Sequence, residues 1–364
     1  MTERLDATDD RAQRLDLLGL PRQRLIEVLT PFVDRPYRIG QIYRGLHERG
    51  VSDLAELTEL SKELRGRLAR NFTVNLPVIA RRHRSADGTV KYLLRLADGA
   101  TIETVDIPDG RRRTLCLSSQ AGCALACRFC VTGFWGGGRN LTAGEIVAQV
   151  LLARQRSEPR RAGLNLVFMG LGEPLLNLEP LRDALEILTE QISRRRITVS
   201  TAGVIPGIEA LASWPRRPRL AISLHAPDDE RRSRIMPINQ RYPLTGLLAA
   251  LRNFPLAPRE HLTFEYILIR DFNDALSDAD ALRRLLRALP AKVNLIPLNP
   301  DPVLDPAMRP PLASQVEAFR HRLVSQGLMA TVRRQRGDDV QAACGQLRSP
   351  SREPRGFRRS NLSW

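Results

Sequence analysis

The sequence contains no apolar run of about 18 or more residues, the length that a membrane-spanning helix needs. Residues 1–16 are charged and lack the apolar stretch of a secretory signal. These absences predict a protein that spans no membrane and is not exported. We therefore expect it in the cytoplasm, a reducing compartment in which structural disulfides are rare.

Cysteine is scarce, with five in 364 residues, and three of the five form one short motif. Cys123, Cys127 and Cys130 have the spacing Cys-x3-Cys-x2-Cys. Thiols this close together cannot all pair with one another as disulfides. Three thiolates from one loop suit three corners of a cubane [4Fe-4S] cluster, whose fourth iron then remains open to a small molecule. The motif therefore predicts a cluster that takes part in chemistry.

Three other interpretations of this motif remain. Structural zinc usually needs paired Cys-x2-Cys motifs and a fourth ligand, and the nearest downstream histidine is the distant His225. A chance group of core cysteines is disfavoured because the surrounding glycines and polar residues follow no apolar face. A plain electron carrier leaves both the open iron and the net charge of +16 unexplained.

Lysine is nearly absent, so the net charge of +16 comes almost entirely from arginine. Arginine suits bidentate contacts with phosphate, although a compositional bias of the genome explains the ratio equally well. The excess itself favours a polyanionic partner, nucleic acid first. A solvated charged face is the alternative for any single basic run. The lysines are Lys62, Lys91 and Lys292.

The order of apolar patterns predicts an α/β protein with a partial (β/α)6 barrel. Strands are expected at 114–118, 164–169, 197–201, 219–225, 261–269 and 292–298, with a helix after each. Earlier helices include one from Leu57 to Leu68, and hairpin strands lie between Val78 and Pro108. Thr142 and Glu145 form a capping-box pattern at the start of the helix expected at 142–156.

The pattern divides the chain into five parts. We expect a flexible N-terminus at 1–18, a small helical domain at 19–75, a β-hairpin linker at 76–113, the barrel at 114–346 and a basic disordered tail at 347–364.

Polar residues follow several of the expected strands, at the barrel end where catalytic groups collect. Singly, each of them is more often a satisfied cap, but their shared position raises the group above chance. Two glycines in the first of these loops allow a ligand to approach the backbone closely. The residues at the ends of the expected strands are Gly170-Leu171-Gly172-Glu173-Pro174, Ser200, Ser223-Leu224-His225 and Asn299.

The two remaining cysteines differ in context. Cys116 lies within an apolar strand, where an inert core role is favoured. Cys344 lies in a loop that contains Gly337, Gly345 and paired aspartates, where a reactive role and an inert role are equally supported.

These segments closely resemble radical S-adenosylmethionine (SAM) enzymes of the RlmN type, which methylate carbon 2 of adenine in large-subunit ribosomal RNA and transfer RNA. The resemblance spans about residues 20 to 347. The matching segments are Glu103-Thr104-Val105, Thr114 to Gln120, the cysteine motif, Arg139 to Thr142, Met169 to Asn177, Ser200 to Gly203, Ser223 to Pro227, Met236 to Asn239, Phe264-Glu265-Tyr266 and the Cys344 segment.

The resemblance implies one [4Fe-4S] cluster on Cys123, Cys127 and Cys130, and two SAM molecules per turnover. It also implies 23S rRNA and tRNA as substrates, an RNA-binding role for residues 19–75, a reductase such as flavodoxin as electron donor, and a monomer. The residues implied to bind SAM are Gly172, Glu173, Ser200, Ser223, Leu224, His225 and Asn299.

Three further roles follow from the same resemblance. Cys344 would accept a methyl group from one SAM, and a 5′-deoxyadenosyl radical from a second would activate that methyl for addition to the adenine. Glu103 would remove the carbon-2 proton, and Cys116 would attack the sulfur of Cys344 to form a disulfide and release the product. A radical route suits this carbon because it is electron-poor and not nucleophilic. A Cfr-type enzyme acting on carbon 8 and a non-catalytic RNA-binding paralogue remain as alternatives.

Overall fold

The computed structural model describes residues 14–110, 112–156, 163–343 and 345–348. Cys344 therefore lies outside the described residues, as do residues 1–13 of the expected flexible N-terminus and all of the expected tail after Arg348. The chain divides into two compact units. Within the described ranges, no helix combines the length and the apolar character needed to cross a bilayer.

The first unit is helical and draws on residues 14–78, 141–156 and 179–191. Its core is made of leucines, several of which are completely buried, including Leu25, Leu29 and Leu68. A short parallel ladder joins two stretches that are far apart in the sequence. Its elements are β1 (Leu15–Asp16), α1 (Arg22–Leu29), α2 (Tyr37–Arg44), α3 (Lys62–Asn71), β2 (Phe72–Thr73), α4 (Ala143–Gln155) and most of α5 (Leu178–Leu188).

Two expectations for this unit differ from the structure. The third helix begins at Lys62 rather than near Leu57, because the Ser61 side chain accepts a hydrogen bond from the Leu64 N–H and caps the helix there. Regular structure begins at Leu15, and Leu17 and Leu18 are completely buried, so the folded part of the chain begins within the segment expected to be flexible. Leu17 and Leu18 were expected in the flexible segment because they directly follow a polar N-terminal stretch.

The second unit contains a ten-stranded sheet in which every strand lies beside its neighbour in the sequence. The strands are β3 (Val78–Arg84), β4 (Val90–Arg95), β5 (Thr101–Asp109), β6 (Arg112–Cys116), β7 (Leu164–Phe168), β8 (Ile197–Thr201), β9 (Arg219–Ser223), β10 (Leu262–Leu268), β11 (Ala291–Pro297) and β12 (Met329–Val332). The hairpin strands come first, and β5 pairs antiparallel with both β4 and β6. From β6 to β12 all pairings are parallel.

The predicted α/β class with a partial barrel is confirmed, because consecutive parallel strands alternate with helices and the described sheet stays open between β3 and β12. The helices of this unit are α6 (Ile205–Ala212), α7 (Asp229–Ile235), α8 (Leu244–Arg252), α9 (Leu276–Leu286) and α10 (Ala313–Ser325).

Two elements of this unit were not predicted. Helix α7 is short and mostly charged, so it shows little apolar periodicity, and Asp228 caps its first turn. Strand β12 has only four residues and precedes a run of arginines. It makes a seventh parallel strand after the six that the sequence predicts.

The predicted capping box at the start of α4 is present. Thr142 Oγ1 accepts from the Glu145 N–H at 3.1 Å, and the Glu145 carboxylate accepts from the Thr142 N–H at 2.9 Å.

Thr142→Ala should lower the free energy of unfolding of the first unit by about 1 kcal/mol, because a helix N–H loses its acceptor. Urea denaturation followed by circular dichroism measures this change. Thr142→Ser keeps the oxygen and should lose less than about 0.5 kcal/mol; equal losses in both variants would contradict the assignment.

Candidate active site

The three clustered cysteines lie in the loop that follows β6, at the carboxyl end of the strand. Cys123, Cys127 and Cys130 are partly buried and line one cavity of about 160 Å³. The Cys130 N–H donates to the Cys127 carbonyl at 3.1 Å, which tightens the loop between these two thiols. The Arg128 N–H donates to the carbonyl of Ile235 at 2.9 Å and fastens the loop to the end of α7.

A glycine-rich stretch packs directly against the cysteine loop. The Cys123 N–H donates to the Gly136 carbonyl at 3.0 Å. A Cβ atom added at Gly122 would lie 2.7 Å from that same carbonyl oxygen, and one added at Gly138 would collide with the carbonyl of Ala121. The two segments therefore contact each other backbone to backbone, which side chains at these positions would prevent.

The loop after β7 is joined to the residues that precede the cysteines. The carbonyl of Leu171 accepts hydrogen bonds from the N–H groups of Ser119 and Gln120, at 2.9 and 3.1 Å. The Gln120 side chain in turn accepts from the Glu173 N–H at 2.8 Å. Gly172 has a φ of +96°, and a Cβ there would lie 2.5 Å from the Gln120 Cβ. Glycine is thus required where this loop passes the cysteine loop.

The carboxylate of Glu173 is buried in the same cavity. Its two oxygens accept from the N–H groups of Leu175 and Ala202, at 3.0 and 2.7 Å. Burial raises the pKa of Glu173 to about 7, although these hydrogen bonds act in the opposite direction. A cationic ligand in the cavity would stabilise the ionised carboxylate, and this suits the ammonium group of an amino acid.

His225 contributes a neutral imidazole to the cavity. It adopts a φ of 61°, and its Nδ1 accepts from the Ile267 N–H at 3.0 Å. Burial lowers the pKa of His225 to about 3, so the ring is uncharged near neutrality. Its ring packs edge-on against Phe129, with 4.5 Å between the ring centres. Ser200 and Ser223, at the ends of β8 and β9, line the same cavity.

The structure thus brings together most of the residues expected to bind the cluster and SAM. Two expected SAM-binding residues lie apart from this cavity. The Leu224 side chain is completely buried, and its N–H donates to the Glu265 carbonyl at 3.0 Å. Asn299 lines a neighbouring cavity of about 470 Å³, and Arg333 lines both cavities. The residues brought together are Cys123, Cys127, Cys130, Gly172, Glu173, Ser200, Ser223 and His225.

Cys116 and Glu103, which are expected to act in the later steps, lie in other surroundings. Cys116 is buried in an apolar cluster that includes Ala342 and Leu347. These two residues precede and follow Cys344 in the sequence, so Cys116 shares its apolar cluster with residues on both sides of Cys344. Glu103 is buried beside Lys91, with Nζ and Oε1 3.2 Å apart.

Sequence reasoning missed Arg232, a completely buried arginine on α7. Its guanidinium donates to the carbonyls of Ala202, Ser223 and Leu224 at 2.7 to 3.0 Å, and to Asn239 Oδ1 at 2.6 Å. It therefore joins the carboxyl ends of β8 and β9. Burial lowers the pKa of Arg232 to about 10, which leaves it charged near neutrality. No local pattern distinguishes it from the other arginines of α7.

The donor set fits a cubane cluster better than a single metal ion. Among the described residues, no three His, Cys, Asp or Glu side chains converge on one ion. A cubane offers a separate iron to each thiolate, so its ligands stand apart around it. Burial raises the pKa of Cys123 to about 12 and that of Cys127 well above its usual range, whereas bound iron would hold both deprotonated.

The parallel strands, the cysteine loop and the shared cavity are features of one class of enzyme. A family model described as "Radical SAM superfamily" matches residues 117–286. The crystal structure of a radical SAM methyltransferase from Sphaerobacter thermophilus is 42% identical, with a TM-score of 0.85 over 92% of this chain and 99% of that chain. The fold and the cavity therefore define a radical SAM protein.

Further comparisons identify the family within this class. A model described as "Ribosomal RNA large subunit methyltransferase N-terminal domain" matches residues 15–74. The dual-specificity RNA methyltransferase RlmN of Anaeromyxobacter dehalogenans is 46% identical, over 91% of this chain and 91% of its own. That of Parvibaculum lavamentivorans is 45% identical, over 97% and 94%. The chain belongs to the RlmN family. A [4Fe-4S] cluster and SAM are the cofactors of this class, with two SAM used per turnover.

Arg232→Met should lower the free energy of unfolding of the second unit by about 3 kcal/mol or more, because several buried oxygens lose their donor together. It should also reduce the iron bound per chain after anaerobic reconstitution. Without the guanidinium, the ends of β8 and β9, which lie beside the thiols, are no longer joined. Guanidinium denaturation and iron analysis measure the two effects.

Arg234→Met is the matched control on the same helix, where the guanidinium lies 5.5 Å from the ring of Phe272. This variant should lose less than about 1 kcal/mol. If Arg232→Met retained the iron content and stability of the control, the inference that Arg232 joins the ends of β8 and β9 would be wrong.

Proposed function

We propose that this protein methylates carbon 2 of adenine in 23S rRNA and of the adenosine next to the anticodon in tRNAs. The observation that carries the proposal is the arrangement of its cysteines. Three line one cavity with a buried carboxylate, and Cys116 shares an apolar cluster with Ala342 and Leu347, which lie on either side of Cys344 in the sequence. Relatives that are about 45% identical over nearly the whole chain are dual-specificity RNA methyltransferases.

The residues of the cavity would hold the two cofactors. The thiolates of Cys123, Cys127 and Cys130 would bind three irons and leave the fourth without a protein ligand. Glu173 would accept the ammonium group of SAM, beside Ser200 and the neutral ring of His225, and Asn299 would bind it from the neighbouring cavity. Gly172, Ser223 and Leu224 would complete the binding site through the strand ends. When bound, the cluster supplies the electron that starts radical chemistry on SAM.

Three further residues would act on the methyl group and the RNA base. Cys344 would carry the methyl group, and Glu103 would remove the proton from carbon 2. Cys116 would then attack the sulfur of Cys344, which forms a disulfide between them and releases the methylated RNA. The disulfide in this scheme belongs to the reaction cycle and not to the resting fold.

RNA binding would depend on the positive charge of the chain. The net charge is +16, and residues 15–74 match an N-terminal domain model of ribosomal RNA methyltransferases. Residues 19–75 would therefore bind RNA, and the basic tail at 347–364 would contact phosphates. The proposal places a monomeric protein in the cytoplasm, supplied with electrons by a reductase such as flavodoxin.

The position of the methyl group tests the proposal directly. Reconstituted protein, SAM and a reductant are incubated without oxygen with 23S rRNA or tRNA, and the nucleosides are analysed by mass spectrometry. We expect 2-methyladenosine and 5′-deoxyadenosine. Methylation at carbon 8 would support the Cfr-type alternative, which the relatives do not favour. Absence of both products would support a non-catalytic paralogue.

Three substitutions separate the roles of the cysteines. Cys344→Ala should keep the visible absorbance of the cluster and abolish methyl transfer, whereas Cys127→Ala should lose that absorbance. Cys116→Ala should accumulate a covalent protein–RNA adduct, visible as a shifted band on a denaturing gel. Methylation by Cys344→Ala, or no adduct with Cys116→Ala, would be inconsistent with the scheme.

A further inference from the structure

Glu103 and Lys91 form a buried ion pair on two neighbouring strands. In the antiparallel pairing of β4 with β5, Glu103 lies opposite Leu93, so Lys91 is its diagonal neighbour on the same face. Their side chains are only 6% and 8% exposed, and Lys91 Nζ lies 3.2 Å from Glu103 Oε1. Strand geometry thus places an ammonium group beside this carboxylate in a site with little access to water.

The same two side chains hold both ends of one segment of the chain. Lys91 Nζ donates to the carbonyl of Gln341 at 3.1 Å. The N–H of Arg348 donates to Glu103 Oε2 at 2.8 Å. Residues 341–348 include Cys344 in the sequence. Each member of the ion pair is therefore bonded both to its partner and to the segment that carries this cysteine.

Other contacts fasten the middle of this segment to the loop after the cluster motif. The Val131 N–H donates to the carbonyl of Gly345 at 2.7 Å, and the hydroxyl of Thr132 donates to the carbonyl of Leu347 at 2.8 Å. These contacts do not involve the ion pair. Loss of Lys91 would therefore remove the bond to Gln341 and disturb the carboxylate that accepts from Arg348, while Gly345 and Leu347 stay attached.

We propose that Lys91 is a positioning residue that keeps the Glu103 carboxylate ionised and aligned with the segment carrying Cys344. The inference rests on the proposed function, since it is there that Glu103 has the task of removing a proton from the RNA base. Lys91 contacts neither RNA nor cofactor in this scheme. It acts through Glu103 and through the carbonyl of Gln341.

The electrostatics of the site agree with this role. Burial raises the pKa of Glu103, and the ammonium of Lys91 is the strongest influence in the opposite direction, followed by the N–H and the charge of Arg348. Arg348 cannot replace Lys91 fully, because its guanidinium is paired with Asp301. Without Lys91 the pKa of Glu103 would rise further, and less of the carboxylate would be ionised near neutrality.

A lysine suits this position better than an arginine. One ammonium nitrogen donates to Glu103 and to Gln341 at once, whereas a planar guanidinium needs more room in a buried site. The sequence has only three lysines among its 56 basic residues, so arginine is the usual cation of this chain. Lys91 departs from that usage at a buried site where one nitrogen serves two acceptors.

The test uses full-length, reconstituted protein and the variant Lys91→Met, which keeps the length of the side chain and removes its charge. A base acts in its ionised form, so methyladenosine release rises with pH through the pKa of Glu103. Loss of the ammonium raises that pKa, so the rise should move to higher pH. At a pH below the pKa of Glu103, the ratio of 5′-deoxyadenosine to released methyladenosine should increase about tenfold for each unit by which the pKa rises.

Two further variants complete the design. Lys91→Arg keeps the charge and should recover most of the pH profile, even if its stability is reduced. Lys292→Met removes a lysine that the proposal does not use, and its ratio and pH midpoint should match those of the parent. If Lys91→Met lowered both products in parallel with an unchanged pH midpoint, Lys91 would be a structural residue only and the inference would be overturned.

A measurement that needs no turnover separates this inference from the proposed function. Hydrogen exchange of the Arg348 N–H, followed by mass spectrometry, should become faster in Lys91→Met and stay slow in Lys91→Arg. Equal exchange in the parent and Lys91→Met would overturn the inference. Failure of the parent protein to methylate any RNA would instead overturn the proposed function.

Discussion

The cavity depends on one buried charge, the guanidinium of Arg232. A buried cation is costly unless every donor finds an acceptor, and here the acceptors are backbone carbonyls at the carboxyl ends of β8 and β9 together with the amide of Asn239. The same strand ends present Ser200, Ser223 and His225 to the cavity. The positive charge also lowers the pKa of Cys127, against the larger effect of burial. One side chain thus joins the ends of the two strands whose serines line the cavity.

Close backbone contact is the second constraint on the site. The cysteine loop meets the glycine-rich stretch on one side and the loop after β7 on the other, and glycines at Gly122, Gly138 and Gly172 permit both contacts. Because these contacts involve main-chain atoms, they leave the cysteine and Glu173 side chains available to the cavity. The local abundance of glycine therefore follows from how closely three segments must approach one another.

The proposed chemistry divides between two surroundings within the second unit. The cavity combines thiols, a buried carboxylate and a neutral imidazole, which suit the cluster and a cationic cofactor. The pair Glu103 and Lys91 instead bonds to Arg348 and Gln341, and Cys116 shares an apolar cluster with Ala342 and Leu347. The contacts of Gly345 and Leu347 with the loop after the cluster motif connect the two. Generation of the radical and removal of the proton would thus be adjacent but separately controlled.

By itself the sequence determined the cysteine spacing, the order of helices and strands, the capping box of α4 and the partial barrel, because each of these is encoded in local spacing. It did not reveal α7 or β12, which are too short or too charged to show a period. Only the tertiary structure decided that Arg232 is the buried arginine of α7, that Asn299 lines a different cavity from Ser200, and that Lys91 meets Glu103. The physical reason is that periodicity records which face of an element is apolar, whereas these contacts join residues that are distant in the sequence and become neighbours only when the sheet forms.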